Sequence, residues 1–96
     1  MNFCYIIYSK DYNKYYTGVS HEDVETRIQN HNNKNYDNAY TSFTNDWKAY
    51  LCIECTSFKQ ALKIEKHIKL MKSTFYIENL KKYPEMIEKL MAKYDH

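Results

Sequence analysis

The sequence lacks any long apolar run, and its longest runs fall far short of the roughly 18 residues that span a bilayer. It also lacks the basic N-terminal region and the small-residue cleavage site of a secretory signal. Its three cysteines, an odd number, argue against a disulfide framework. These absences predict a cytoplasmic protein without a membrane segment.

Cys52 and Cys55 have the CxxC spacing of zinc and redox sites. The surrounding segment, WKAYLCIECT, is typical of a β-strand, in which residues three apart point to opposite faces. We therefore expect reduced, partly buried thiols here rather than a metal or redox centre.

Glycine and arginine occur once each, as Gly18 and Arg27, and all other basic residues are lysines. Average usage predicts about 7% glycine. A bias toward Lys, Asn, Tyr and Ile accounts for this scarcity without selection on function. Such a bias makes the remaining copies more informative, and we expect Gly18 at a place where no side chain is tolerated.

A chain of this length forms one domain with a single core that buries roughly 60–65% of the unfolded surface.

The distribution of charge along the chain is more informative than the formal net charge of +2. Residues 57–96 carry nine lysines and five acids, whereas residues 1–56 carry five basic and seven acidic residues. The C-terminal helices are the expected surface for a polyanion, unless their lysines are simply solvated.

The first part of the sequence predicts a β-hairpin followed by a helix. NFCYIIYS alternates between two faces and is rich in aromatic and β-branched residues, which predicts a strand over residues 2–9. The five-residue turn KDYNK leads into a second strand over residues 15–20. Ser20 and Asp23 match a capping box for an amphipathic helix over residues 21–33.

The rest of the chain predicts one loop, one strand and three helices. Residues 33–46 are rich in Asn and Asp, show no periodicity and are expected to form a loop before the WKAYLCIECT strand. Ser57 and Gln60 match a second capping box. The predicted helices cover residues 58–72, 75–83 and 84–94, with Pro84 in the first turn of the last. The order ββαβα, followed by helices, predicts an α+β fold with a small three-stranded, mainly antiparallel sheet flanked by helices.

Polar residues interrupt the apolar stripe of the first predicted helix. At intervals of three and four residues, the stripe consists of Val24, Arg27, Ile28 and His31. An unpaired charge is costly to bury, so each polar member either has a partner within the protein or lines a cleft where water, a metal ion or phosphate is its partner. The structural alternatives are an ion pair of Arg27 with Asp23 and a half-exposed histidine at the helix end.

The second predicted helix places a carboxylate, Glu65, on its stripe. The other stripe members are Phe58, Ala61, Leu62 and Ile68. The structural alternative is an ion pair of Glu65 with Lys69, four residues later, at the edge of the stripe.

The candidate residues together form a pattern that resembles the GIY-YIG nuclease family. The pattern consists of two hairpin tyrosines, a glycine, an Arg-x-x-x-His helix and a later glutamate. FCY stands where the first triplet would be and YTG is the second, with Tyr16 eleven positions after Tyr5. The chain looks most like the short, single-domain bacterial members that resemble the catalytic module of the excision-repair nuclease. The resemblance implies one GIY-YIG domain over residues 1–96, with its core in 2–82 and a helical extension over 83–96.

Four positions depart from the family pattern. Phe3 and Cys4 replace the glycine and isoleucine of the first triplet, and Thr17 replaces the isoleucine of the second. Ile64 stands where short relatives commonly have arginine beside the metal-binding glutamate. These changes affect side-chain packing and contact with phosphate, and none removes a residue that the family's hydrolysis of phosphodiester bonds requires.

The resemblance implies a metal-dependent endonuclease that hydrolyses DNA phosphodiester bonds, with a place in DNA repair or recombination. Glu65 would bind a single Mg²⁺ or Mn²⁺, with most positions on the ion left to water and phosphate. Arg27 would bind phosphate, for which its planar fork is better suited than a lysine. Tyr5 would be the base or would relay the proton of the attacking water.

The resemblance also assigns supporting roles. Tyr16 and His31 would orient water and phosphate, and Asn79 would hydrogen-bond within the site. Gly18 would let the substrate backbone or the helix of Arg27 approach closely, unless a β-bulge or strand–helix packing requires the glycine.

Two other functions fit the same sequence. One is a non-catalytic DNA- or RNA-binding module that uses the lysine-rich C-terminal helices for backbone contacts. The other is an orphan domain that needs a protein partner for targeting. The enzyme is favoured because pure binding needs no carboxylate at position 65.

Overall fold

The chain opens with a β-hairpin in the computed structural model, which describes residues 1–34 and 40–95. Its strands are β1 (Asn2–Ser9) and β2 (Lys14–Ser20), and Asn13 in the connecting loop has a positive φ of 51°. The loop is one residue shorter than predicted because Lys14 already belongs to the strand. The remaining elements are α1 (Val24–Asn32), a 3₁₀ turn (Tyr40–Phe43), β3 (Lys48–Cys55), α2 (Phe58–Met71), α3 (Thr74–Lys82) and α4 (Pro84–Lys93).

The three strands form one antiparallel sheet in the order β2-β1-β3, with β1 in the centre. Side chains alternate across a strand, so the odd-numbered residues of β1 face α1 and the even-numbered residues face α2. This is the α+β fold with a three-stranded antiparallel sheet that the sequence predicted.

The two faces of the sheet carry cores of unequal size. The larger core lies under α2, α3 and α4 and consists of Cys4, Ile6, Ile53, Cys55, Ala61, Ile64, Ile68, Ile77, Leu80 and Leu90. The smaller core lies under α1 and consists of Tyr5, Ile7, Val24, Ile28 and Trp47. The predicted site residues of β1 and α1 therefore belong to the thinner side of the molecule.

Helix α1 begins later than predicted, and the predicted capping box is wrong. Ser20 Oγ accepts a hydrogen bond from the amide of Glu22 and donates one to its carbonyl, both at 2.9 Å. Because this local turn engages the hydroxyl, the helix starts after Asp23, whose side chain makes no capping hydrogen bond. The predicted stripe is confirmed, since Val24, Ile28 and His31 are buried.

Helix α2 has the predicted N-cap but a different stripe. Ser57 Oγ accepts from the amide of Gln60 at 3.0 Å, whereas Gln60 Oε1 accepts from the amide of Thr56 and does not close the box on Ser57. Leu62 is 43% exposed, so its predicted place in the core is wrong. The buried positions of α2 are Gln60, Ala61, Ile64 and Ile68.

Of the predicted loop over residues 33–46, residues 35–39 lie outside the described part of the chain.

Hydrogen bonds of Asp46 anchor the connection from α1 to β3 on the hairpin. The Asp46 carboxylate accepts from Ser9 Oγ at 2.6 Å, from the amide of Asp11 at 3.0 Å and from Thr44 Oγ1 at 2.7 Å. These hydrogen bonds, that of Ser9 foremost, lower the pKa of Asp46 to about 2, so the carboxylate stays charged over the whole working range of pH.

The cysteines of β3 lie on opposite faces, as the strand period predicted. Cys52 is exposed and Cys55 is buried. Desolvation by burial raises the pKa of both thiols, which keeps them protonated at neutral pH.

Three of the four departures from the family pattern lie in the interior. Cys4 and Ile64 have no exposed surface and Thr17 is 5% exposed. Phe3 is partly buried and packs against the smaller core. These positions serve packing in this chain.

Candidate active site

The hairpin places the phenol of Tyr5 directly over Gly18. The two residues are opposite each other in the register of β1 and β2. A Cβ atom built on Gly18 would lie 2.5 Å from Tyr5 Oη and 2.6 Å from Tyr5 Cζ, closer than real Cβ atoms approach other atoms. The φ of Gly18 is not positive, so the glycine is needed for space and not for its backbone conformation. The group that approaches Gly18 is the Tyr5 phenol, and an approach of the substrate backbone at this point stays a prediction.

His31 joins Tyr5 to the helix that carries Arg27. Its Nε2 lies 3.0 Å from Tyr5 Oη, and its Nδ1 lies 2.6 Å from Thr41 Oγ1. Tyr5 and Thr41 are at most 1% exposed and His31 is 3% exposed. Both ring nitrogens of the histidine are therefore engaged inside the protein.

The two hydroxyl groups lie on opposite ring nitrogens of His31, so one tautomer links all three side chains in one direction. With the proton on Nε2, the ring donates to Tyr5 Oη and accepts from Thr41 Oγ1; with the proton on Nδ1, it accepts from Tyr5 and donates to Thr41.

Trp47 and Asn32 hold Thr41 in place. The indole Nε1–H of Trp47 donates to the carbonyl of Thr41 at 3.0 Å. The side-chain amide of Asn32 accepts from the amide of Trp47 at 2.7 Å and donates to its carbonyl at 3.0 Å. Sequence reasoning missed Thr41, which lies in an aperiodic segment. Trp47 is 2% exposed, so it serves this network and is not available for stacking on nucleic-acid bases.

The burial of His31 predicts a pH dependence of stability. Desolvation, followed by the positive charge of Arg27, lowers the pKa of His31 from 6.5 to about 4. The unfolded chain takes up a proton on His31 below pH 6.5 whereas the folded chain does not. The contribution of this group is therefore fully present above pH 6.5 and declines, by up to about 3 kcal/mol, as the pH falls toward 4.

Urea unfolding of the wild type and of His31→Gln between pH 4.5 and 7.5 tests this dependence. The stability advantage of the wild type is expected to narrow as the pH falls, while other titrating groups affect both proteins alike. An advantage that stays constant across this range would show that His31 accepts a proton in the folded protein as easily as in the unfolded chain.

Tyr16 and Lys69 connect the buried Tyr5–His31 pair to Glu65. The ring of half-buried Tyr16 lies 5.4 Å from that of His31, centroid to centroid, and Lys69 Nζ lies 5.5 Å from the centre of the Tyr16 ring. Lys69 Nζ also forms an ion pair with Glu65 Oε2 at 3.1 Å, which is the pair considered from the sequence. The Glu65 side chain is 19% exposed, so its carboxylate is partly accessible.

Arg27 lies half-buried on the same helix as His31. Its Nη1 is 3.7 Å from Glu22 Oε1, and this long contact replaces the ion pair with Asp23 considered from the sequence. The guanidinium is close enough to His31 to contribute to the lowering of its pKa. A planar cation beside the Tyr5–His31 pair is suited to hold a phosphate.

Asn79 is not joined to this cluster by a hydrogen bond. It is half-buried on α3, and its backbone carbonyl accepts from the amide of Tyr83 at 2.8 Å. Among the described residues, its side chain makes no hydrogen bond with another predicted site residue. Its support of the site stays a prediction.

The donor set fits a divalent ion held by one carboxylate. Residues 1–34 and 40–95 contain no group of three His, Cys, Asp or Glu side chains arranged to hold a metal ion. A lone, partly accessible carboxylate such as Glu65 is a hard oxygen ligand, and Mg²⁺ commonly takes one or two of these together with waters and phosphate oxygens.

Comparison with known proteins agrees with this geometry. Residues 1–82 match the model of the GIY-YIG catalytic domain, and the chain belongs to this family. The family is one of nucleases, which are hydrolases, and its members generally use divalent metal ions. Comparisons with curated proteins and with solved structures give no match. No helix in the described part of the chain is long and apolar enough to cross a membrane.

Proposed function

We propose that this protein is an endonuclease that hydrolyses DNA phosphodiester bonds with one bound Mg²⁺ or Mn²⁺. The observation that carries the proposal is the contact between Tyr5 and His31. It joins the first tyrosine motif to the Arg-x-x-x-His helix in a chain of a nuclease family. Residues 2–82 form the proposed catalytic core, and the proposed setting is DNA repair or recombination.

Glu65 and Arg27 are the proposed ligands of metal and phosphate. A divalent ion on Glu65 would polarise the phosphate and stabilise negative charge on the leaving oxygen. Arg27 would hold a non-bridging phosphate oxygen with its guanidinium fork and stabilise charge there. Half-buried Tyr16, at the surface of the cluster, would orient the attacking water.

Tyr5 is the proposed acceptor of the water's proton. A hydrogen bond donated to a phenolic oxygen stabilises its deprotonated form, and Nε2 of His31, 3.0 Å from Tyr5 Oη, donates this bond in the tautomer that carries its proton on Nε2. To accept this proton, Tyr5 would act as the phenolate, and the transfer from water to its Oη would leave it as the neutral phenol. His31 stays neutral at pH 7, because its pKa is about 4, and it acts by orienting the phenol.

Cleavage of supercoiled plasmid and of branched and single-stranded oligonucleotides tests the proposal. Nicking is expected with Mg²⁺ or Mn²⁺ and is expected to stop with EDTA. DNA binding without cleavage under every condition would favour the non-catalytic binding module instead. A chain that neither binds nor cleaves DNA by itself would favour a domain that a protein partner brings to its target.

A further inference from the structure

A cavity of about 640 Å³ lies beside the candidate site, between the edge strand β2 and the junction of α2 with α3. Its apolar lining residues are the partly buried Tyr15 and two residues of the larger core, Ile68 and Ile77. Tyr16 and Lys69 line the cavity and also belong to the cluster that leads to Glu65. A ligand in this cavity would therefore lie beside the candidate catalytic cluster.

The charge of the cavity is positive on several sides. Lys14 from β2 and Lys69 and Lys72 from the end of α2 line the cavity, and none of the lining residues in the described part of the chain carries a carboxylate. Lys69 pairs with Glu65, whereas neither Lys14 nor Lys72 forms an ion pair with a described residue. Two hydroxyl-bearing residues at the start of α3, Ser73 and Thr74, are also among the lining residues. This chemistry suits a ligand with more than one negative charge.

The size and the apolar wall narrow the class of ligand. Ligand cavities of roughly 300–1,000 Å³ enclose small organic molecules, so this cavity exceeds what a lone phosphate requires. Ile68 and Ile77 are 2% and 9% exposed, so the partly buried ring of Tyr15 is the surface that suits the flat face of a base or the carbon side of a sugar. Lysines at the rim suit the phosphates at either side of that sugar.

We propose that this cavity binds the nucleotide adjacent to the phosphodiester bond that is cleaved, with its base or sugar against the ring of Tyr15 and its phosphates on Lys14 and Lys72. The assignment rests on the proposed nuclease function and specifies where one strand of the substrate lies. Contacts of this kind bind the nucleic-acid backbone and accept any base, so they position the strand without selecting a sequence.

The double variant Lys14→Gln, Lys72→Gln tests this assignment by kinetics. It leaves the Lys69–Glu65 pair intact, so KM for DNA is expected to rise about tenfold with kcat changed less than about threefold, and the slope of log affinity against log salt is expected to fall by roughly 1 to 2. The matched control is Lys10→Gln, Lys48→Gln, which removes the same charge at exposed positions outside the cavity. An equal effect of the control would overturn the assignment in favour of general electrostatic attraction.

A nucleoside 3′,5′-bisphosphate provides a test that does not depend on cleavage. Its binding in EDTA, measured by calorimetry, is expected for the wild type and for Glu65→Gln and is expected to weaken about tenfold in the cavity variant. Bisphosphate binding in a protein that cleaves no DNA would leave the cavity assignment standing and overturn the nuclease. Cleavage by a cavity variant with unchanged KM and unchanged bisphosphate affinity would overturn the cavity assignment alone.

Discussion

Glu65→Gln is expected to lower the rate of metal-dependent DNA cleavage by about two to three orders of magnitude. The substitution keeps the size of the side chain but removes the negative charge that holds a divalent ion. The thermal midpoint is expected to change little, because the ion pair with Lys69 is partly exposed and such pairs contribute about 0.3–0.5 kcal/mol. Initial rates of plasmid nicking in Mg²⁺ and Mn²⁺ measure the effect.

Two controls separate catalysis from the loss of an ion pair. Lys69→Gln breaks the same pair and keeps the carboxylate, so its thermal midpoint should match that of Glu65→Gln. Glu88→Gln removes an exposed carboxylate from α4 and is expected to cleave like the wild type. Wild-type rates for Glu65→Gln in both metals would mean that Glu65 serves only its ion pair with Lys69.

Gly18→Ala is expected to reduce cleavage at least about a hundredfold and to destabilise the fold by about 1–3 kcal/mol. The new methyl group would meet both the oxygen and the Cζ atom of Tyr5. Tyr5 is packed in the smaller core and hydrogen-bonded to His31, so its ring can move only by leaving that contact. Urea unfolding and nicking rates measure the two effects separately.

A double-mutant cycle with Tyr5→Leu identifies the cause. If the methyl group acts through the phenol, Gly18→Ala costs much less stability when Tyr5 is already Leu, and the coupling exceeds about 1 kcal/mol. Cleavage is expected to stay low in all three variants, because each lacks a correctly placed phenol. Additive losses of stability, or full activity of Gly18→Ala, would show that the glycine is not needed for the position of Tyr5.

The sheet could be predicted from the sequence because its signal is local. Alternation of side chains over two residues gave all three strands, and it also placed Cys52 and Cys55 on opposite faces. Helix boundaries were less predictable, since Ser20 matched a capping box but formed a turn with Glu22. The stripe of α2 was assigned partly to the wrong side, because Leu62 and Ile64 are both apolar and only the position of the sheet decides which is buried.

The contacts of the candidate site depend on pairing between distant segments. Gly18 and Arg27 were singled out by their scarcity, but the position of Gly18 under Tyr5 follows from the register of β1 with β2. Thr41 reaches His31 through the anchoring of its segment by Trp47 and Asn32. No periodicity marks these contacts, so the sequence could indicate the residue types of the site and not the hydrogen bonds that orient them.

The unequal cores on the two faces of the sheet have a consequence for local unfolding. Helix α1 has nine residues, no side-chain cap and only the smaller core beneath it, whereas α2 has 14 residues, a serine cap and the larger core. Segments with fewer buried contacts open at lower free energy than the rest of a fold. We therefore expect helix α1 to open at lower free energy than the other face of the sheet, and such an opening would separate Arg27 and His31 from Tyr5. The arrangement of the candidate site is thus expected to be less persistent than the fold that contains it.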